Sequence, residues 1–449
     1  MDIITQSISK FASSLTFANL DPETAHAAAQ RLVDSLGCAL GAPDCEPANI
    51  GRRLAAGQSP SANPGRVLFS RDVMPAESAT FINTAMIRNL DFNDRYPGGH
   101  PSDCLGALLA VAGAVPTDGK RFLTSMVVIY EIFARLSDSA KLSRRGWDQG
   151  YAIAISTASG LCNLFGLSQQ DTAHAVGIAA TSNLPLRVTR SGELTSWKNV
   201  ATAYAARNGV FAALLAKEGM VSPGNAFAGR HGLFQNVTGE FELEAFPNAG
   251  GPALTPRVQL KYWPVETNGQ PVVWAALELK KIARAQDIAE IEVFTSKFTA
   301  FEIGSEPEKW DPQTHETADH SLPYMFARTL VDGPLTVASF SHEAVLDPAL
   351  RPIMKMIKVT IDDAIEALLP QMRMRVVATM KDGSKKTIQV ENPLGHPDNP
   401  MNDGDISEKF RLLGEPVLGA ARTKAVGEQW WRVADAGKIS DLMDLVILG

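Results

Sequence analysis

Hydrophobic periodicity changes twice along this chain, near residue 258 and again near residue 398, and that double change limits the architectures open to it. Before the first change, apolar residues recur at helical spacing in segment after segment. Asp21 and Pro22 begin a helix as N-cap and first helical residue; the apolar positions continue through Leu36, and Gly41 follows the end. Residues 103–116 (DCLGALLAVAGAVP) are apolar nearly all round, which predicts a central helix. Segments 120–137, 150–166, 170–184 and 199–218 repeat the pattern, and their alanines and glycines let helices approach closely.

Past residue 258 the character differs. Segments 288–298, 355–361 and 373–380 alternate as strands do, and the Asp382-Gly383 turn leads into a further strand over 385–391, which makes a hairpin. Helical patterns at 270–284, 318–331 and 335–344 interleave with them. Beyond 398 helix returns, at 404–413, 415–433 and 438–447. The chain has 449 residues, too many for one ordinary core. The predicted architecture is mainly α: an all-helical domain built from both chain ends, residues 1–257 and 398–449, with a smaller α+β domain, 258–397, inserted between them. No GxGxxG follows a strand and no GxxxxGK[ST] loop occurs, so a nucleotide-binding fold is not expected.

Composition narrows the function classes. Hydrophobic residues make up 45% and charged residues 20%, a globular balance. No apolar run approaches the ~18 residues of a membrane span. The formal net charge of -7 argues against nucleic acid as partner, but a few lysines in a cleft can still bind a small polyanion. Cys38, Cys45, Cys104 and Cys162 form no CxxC pair, which fits a reducing compartment and provides no Fe–S or other metal framework. The first residues lack the basic and apolar regions of a secretory signal, so a cytoplasmic protein is expected.

Five stretches could carry chemistry. In NLDFNDRYPGGHPSDCLGALL (89–109), Asp91, Asp94 and Arg95 precede a Gly/Pro turn, and His100 stands at the mouth of the central helix; the competing reading is capping by Ser102 and Asp103. RRGWDQGY (144–151) places Asp148 and Gln149 beside a tryptophan before a helix, where an ordinary N-cap is the alternative. Lys198 precedes an alanine-rich helix, so it must find an anion or snorkel to solvent. QLKYWPVETNGQ (259–270) puts Lys261 and Glu266 at the predicted domain boundary, where clefts form. HETADHSLPYMFARTLVDG (315–333) gathers Asp319, His320 and Tyr324 at a helix start. His26 and His174 read as structural.

Together with GRHGLF (229–234), these stretches resemble the MmgE/PrpD family in order and spacing over nearly the whole chain. The resemblance implies an all-helical domain with a smaller α+β lid, a homodimer, no metal or other cofactor, and action on a small polycarboxylate. It places the active-site positions on Asp91, His100, Lys198 and Lys261. Asp94, Arg95, Asp148 and Gln149 become candidate substrate contacts, as do Glu266, His320 and Tyr324. Glu266, Asp148 and Gln149 stand where the decarboxylase branch carries histidines, and Arg95 where many members have threonine. Dehydration of a β-hydroxy tricarboxylate such as 2-methylcitrate is the expected reaction. Cis-aconitate decarboxylation and iminodisuccinate epimerisation are the alternatives, and a non-catalytic binding protein is a more distant one. In this reading His100 acts as base or acid, the lysines clamp carboxylates and either of them could donate the proton, and Asp91 orients His100 or a lysine.

Overall fold

The structure is a computed structural model and describes residues 1–59 and 62–448. Among the described residues nine α-helices come first: α1 (Ile3–Ser14), α2 (Pro22–Leu40), α3 (Glu46–Ala55), α4 (Ala76–Arg88), α5 (Leu105–Ala114), α6 (Gly119–Ala140), α7 (Gly150–Phe165), α8 (Gln169–Ser182) and α9 (Ser196–Lys217). The Asp21 carboxylate caps α2 by accepting from the Thr24 amide at 2.7 Å, with Pro22 in the first turn as the sequence predicts. Two short strands absent from the sequence reading, β1 (Pro64–Arg66) and β2 (Val73–Pro75), pair antiparallel beside α4.

The predicted central helix is α5, preceded by a 3-10 turn over Pro101–Cys104. Leu105, Leu108 and Leu109 are wholly buried, and the helix touches α4, α6, α7 and α9. Its approach to α4 requires a glycine: a Cβ on Gly106 would lie 2.2 Å from Thr84 Oγ1.

The strand-bearing region contains α10 (Gln270–Ile282), β3 (Ile288–Thr295), α11 (Lys297–Gly304), α12 (His315–Ala318), α13 (Leu322–Asp332), and the single turns α14 (His342–Val345) and α15 (Arg351–Met354). It continues through β4 (Ile357–Ile361), the turn α16 (Asp363–Glu366), β5 (Met374–Met380) and β6 (Lys385–Val390). The sheet order is β4-β3-β5-β6, with β3–β4 parallel and the other pairs antiparallel. The β5–β6 hairpin turns at Gly383, whose φ of 86° suits glycine. One sheet face packs on α10, burying Ile291, Val293, Val376 and Ala378 with Val272 and Leu279.

Three sequence expectations for this region need correction. The strand expected over 288–298 stops at Thr295, because the Ser296 hydroxyl caps α11 by accepting from the Thr299 amide. The helix expected over 318–331 breaks at Asp319–Ser321, where Ser321 caps a new helix with Pro323 in its first turn. The helix expected over 335–344 is a 3-10 turn and a separate single turn, each begun by its own hydroxyl cap, Thr336 and Ser341.

The chain ends in α17 (Asp403–Leu418), α18 (Ala420–Trp431) and α19 (Ile439–Asp444). α17 runs on through Pro416, and the break comes instead at Gly419, with φ of 76°. The chain is mainly helical, with two large buried clusters. One runs from Ile4 to Leu260 and takes in Ile406, Phe410 and Trp430, as α17 packs on α2. The second runs from Trp263 to Ala378, and Tyr262 lies against both. Among the described residues no helix is long and apolar enough to cross a membrane.

Candidate active site

At the seam between the two clusters, charged side chains converge on Asp91. α4 ends at Arg88, and Asp91 follows in a left-handed conformation (φ 46°), uncommon for a non-glycine residue though more accessible to aspartate than to most. Arg88 Nη1 donates to Asp91 Oδ1, as does Lys261 Nζ at 2.9 Å, while Lys198 Nζ donates to Oδ2 at 3.2 Å. His100 Nε2 lies 3.8 Å from Oδ1 and His320 Nε2 3.8 Å from Oδ2. Asp91, Lys198 and Lys261 are each at most 1% exposed and His100 is 7% exposed, so the cluster is closed to solvent.

Each residue arrives by a separate local device. Lys198 occupies the first turn of α9 and meets an anion there rather than snorkelling to solvent. Lys261 is brought in by a backbone bridge, in which Arg95 and Gln259 exchange two 2.8 Å hydrogen bonds. Lys409 of α17 fixes the same seam from behind, donating to Asp34 Oδ1, to the Phe92 carbonyl and to the Lys261 carbonyl at 2.7, 2.7 and 2.9 Å. The 314–320 segment docks on the start of α9 through Thr317 Oγ1, which accepts from the Leu194 amide at 3.2 Å. It thereby sets Asp319 Oδ2 3.7 Å from Lys198 Nζ.

His100 is held on both sides of its backbone turn. Its amide donates to Gln149 Oε1 at 2.6 Å, and its Nδ1–H donates to the Asp94 carbonyl at 2.5 Å. A carbonyl only accepts, so the proton sits on Nδ1 and Nε2 keeps its lone pair facing the cluster. A Cβ on Gly99 would lie 1.7 Å from Gln149 Oε1, so this brace needs the glycine. Burial, reinforced by the cations Arg88 and Lys261, pushes His100 well below the usual imidazole value. Burial alone would raise Asp91, but Arg88, Lys198 and Lys261 overcome it and hold the carboxyl well below its ordinary range. Burial also lowers Lys261, against the pull of Asp91.

The sequence candidates separate into three groups. Asp91, His100, Lys198, Lys261 and His320 come together. Arg95 lies close enough to influence His100, and among the described residues its guanidinium has no ion-pair partner and donates one hydrogen bond, to the Tyr96 carbonyl. Glu266 is half-buried and caps its own turn, accepting from the Asn268 amide at 2.5 Å.

Asp94, Asp148 and Gln149 stand one layer back. The Asp94 carboxyl accepts from Ser102 and from Tyr130 Oη, and burial pushes it up to about 7. Asp148 is buried against Arg190 Nε at 2.6 Å. Tyr324 is elsewhere: its hydroxyl donates to the Ser339 carbonyl at 2.6 Å and its ring packs on Phe340, making it a core residue of the strand-bearing region. Ser102 and Asp103 do not cap a turn as the competing reading had it: Ser102 bonds Asp94, and Asp103 accepts from Asn93 Nδ2 at 2.9 Å.

One contributor, Arg88, escaped the sequence reading, and a second, Asp319, was noted there without a role. Arg88 ends an ordinary helix, where a basic residue reads as a complement to the helix dipole. Asp319 stood beside His320 in a noted segment, but nothing in sequence tied it to Lys198. Asp319 Oδ2 and His315 Nε2, 3.6 Å apart, have no hydrogen-bond partner among the described residues, so this side of the cluster retains unused polar capacity. Asp91, Asp319 and His320 bring three potential metal-ligand atoms within 4.8 Å of one another. The donor set does not suit a divalent cation, because Arg88, Lys261 and Lys198 already crowd Asp91 with positive charge and Lys198 Nζ also reaches towards Asp319. A groove of about 610 Å³ between α17 and α18 is lined by Phe410, Arg411, Lys424 and Trp431 and contains none of these residues.

Comparison with known proteins shows the family. Residues 6–245 match the MmgE/PrpD N-terminal domain and residues 263–432 the MmgE/PrpD C-terminal domain; the chain belongs to the MmgE/PrpD family. It is 28% identical over 412 residues to the 2-methylcitrate dehydratase of Salmonella typhi, covering 85% of this chain and 84% of the relative. The mitochondrial 2-methylcitrate dehydratase of Yarrowia lipolytica is 30% identical over 352 residues, 72% of this chain and 67% of the relative. A cis-aconitate decarboxylase-like protein of Aspergillus oryzae is 24% identical over 474 residues, 99% of this chain and 97% of its own length.

Proposed function

We propose that the protein is a hydro-lyase that removes water from a small β-hydroxy polycarboxylate of the 2-methylcitrate kind. The observation that carries this reading is a neutral, inward-facing His100 Nε2 beside a concentration of cations, Arg88, Lys198, Lys261 and Arg95, around few carboxylates. Loss of water begins with a proton taken from carbon next to a carboxylate, and a buried imidazole lone pair is suited to take it. The imidazolium that forms faces Asp91 Oδ1. The cations supply the positive field that holds the substrate carboxylates and stabilises the charge developing on them. No metal enters this chemistry.

The cluster is closed, and its members come from both sides of the seam: Arg88, His100 and Lys198 from the helical core, Asp319 and His320 from the strand-bearing region. We infer that residues 258–397 act as a lid on a helical domain formed by 1–257 and 398–449, and that substrate enters when the seam parts. Homodimerisation belongs to the same reading. Trp197, Tyr204 and Phe211, seven residues apart along α9 and each about half exposed, give a second copy an apolar stripe to cover; light scattering tests it.

Incubation with 2-methylcitrate, cis-aconitate and iminodisuccinate, followed by proton NMR, decides the reaction. Formation of the unsaturated tricarboxylate from 2-methylcitrate is expected. Carbon dioxide release from cis-aconitate, or conversion of one iminodisuccinate stereoisomer into its diastereomer, would reassign the activity, and no conversion of any of the three would return the chain to the class of binding proteins.

A further inference from the structure

Water loss needs an acid as well as a base, and the two imidazoles at Asp91 are differently held. His100 gives its Nδ1–H to a backbone carbonyl, a neutral acceptor. His320 gives its Nδ1–H to the Asp319 carboxylate, and its Nε2 lies 3.8 Å from Asp91 Oδ2. In its proton-carrying form, then, His320 has a carboxylate at each ring nitrogen, while Lys198 Nζ and His315 Nε2 balance Asp319 from the other side. Its side chain is 12% exposed, more open than either lysine, and it lies beside the unsatisfied Asp319 Oδ2. Lys198 and Lys261, the other candidate donors, each have their ammonium committed to Asp91.

We propose that His320, positioned by Asp319, is the catalytic acid of the dehydration, working opposite His100 across the Asp91 carboxylate. The proposal rests on the dehydratase reading above. The step balances as a simple elimination: His100 Nε2 takes the proton from carbon, the C–H electron pair becomes the new C=C bond, the C–O bond breaks, and the departing hydroxyl leaves as water with the Nε2 proton of His320. One proton enters the protein at His100 and one leaves it at His320, so no other reactant is required.

The experiment compares leaving groups. Wild type, His320→Gln and His100→Gln are each assayed on 2-methylcitrate and on its analogue bearing fluorine in place of the hydroxyl, because fluoride departs without needing a proton. For His320→Gln a loss of about a hundredfold or more in kcat is expected on the hydroxy acid, with KM within about threefold of wild type, while fluoride release stays within about fivefold. His100→Gln should lose both reactions, since both begin with the same proton abstraction. Equal losses on the two substrates in His320→Gln, or a raised KM with kcat unchanged, would overturn the acid role and leave His320 as a binding residue. Should His320→Gln fail to fold, His320→Asn, whose side-chain amide can still donate to Asp319, gives the same comparison. A wild type that eliminates neither water nor fluoride overturns the dehydratase reading itself, whereas active wild type with equal losses overturns only the role of His320.

Discussion

Lys261 holds Asp91 at two points, donating to its carboxylate at 2.9 Å and to its backbone carbonyl at 2.5 Å, although 170 residues separate the two in the chain. The double contact is made with Asp91 in a left-handed backbone conformation. In that conformation carboxylate and carbonyl both meet one ammonium, while Arg88 and Lys198 also donate to the carboxylate. Asp91 is therefore the hub that sets the spacing of the cations, and a substrate carboxylate must compete with it for them.

Removing either lysine should impair turnover without abolishing the fold, since Asp91 keeps two cationic partners in each case. Lys198→Ala and Lys261→Ala each forfeit a charge-assisted contact in a dry site, worth on the order of 2–4 kcal/mol, or about 30- to 1,000-fold in kcat/KM. Steady-state kinetics beside circular-dichroism melts checks this. Wild-type kinetics from a variant would take that lysine out of the site.

Chelation tests the electrostatic case against a metal at Asp91, Asp319 and His320. Prolonged dialysis against EDTA should leave kcat unchanged, because Lys198 already supplies a cation between the two aspartates. A loss reversed by one divalent cation would show that those three residues do hold a metal.

The legible part of the site consists of residues that are anomalous where they stand. A lysine ahead of an alanine-rich helix, a second among bulky aromatics at a change of periodicity, and a histidine at the mouth of an all-apolar helix each demand an explanation, and Lys198, Lys261 and His100 all prove to be buried. The hidden part consists of residues that look ordinary locally. Lys409 lies in the polar-rich helix DGDISEKFRLL and reads as a surface lysine, yet it is 5% exposed and ties α17, α2 and the Lys261 segment together. Tyr324 shows the opposite error: nearness in sequence to His320 suggested the site, but α13 directs its hydroxyl to Ser339. In the same way, hydroxyl caps at Ser296, Ser321 and Ser341 divide segments whose apolar periodicity alone reads as continuous.

Lys409 should matter to stability more than to chemistry. Lys409→Met leaves Asp34 buried without its ammonium; burial already raises that carboxyl against the opposing pull of Lys409. Removing one partner of a buried pair costs about 3–5 kcal/mol, and replacing both with apolar groups can recover it. Urea denaturation should show Lys409→Met strongly destabilised and the Asp34→Leu/Lys409→Met double variant largely restored. A double variant no better than the single would mean that the contacts with the Phe92 and Lys261 carbonyls, not the ion pair, carry the stability.

The protonation of His100 gives a pH prediction with a definite sign. Burial and the neighbouring cations Arg88 and Lys261 hold its folded value well below the ~6.5 of an unperturbed imidazole. The basic form therefore persists to lower pH in the enzyme, and the acid limb of kcat/KM should fall below pH 6.5, with the plateau still intact there. Stability moves by the same linkage. Below pH ~6.5 the unfolded chain binds a proton that folded His100 refuses, so folding weakens as pH drops towards the folded value, and above pH ~6.5 the effect vanishes. His100→Gln removes that titration. It should lose about a hundredfold or more in kcat at pH 7.5, yet lose less stability than wild type between pH 6.5 and 5, as read from urea midpoints at the two pH values. A variant that stays active from pH 6 to 9 would make His100 structural and move the search for the base to Glu266. One that is inactive but as acid-sensitive as wild type would leave His100 in the chemistry while placing the acid lability in another group.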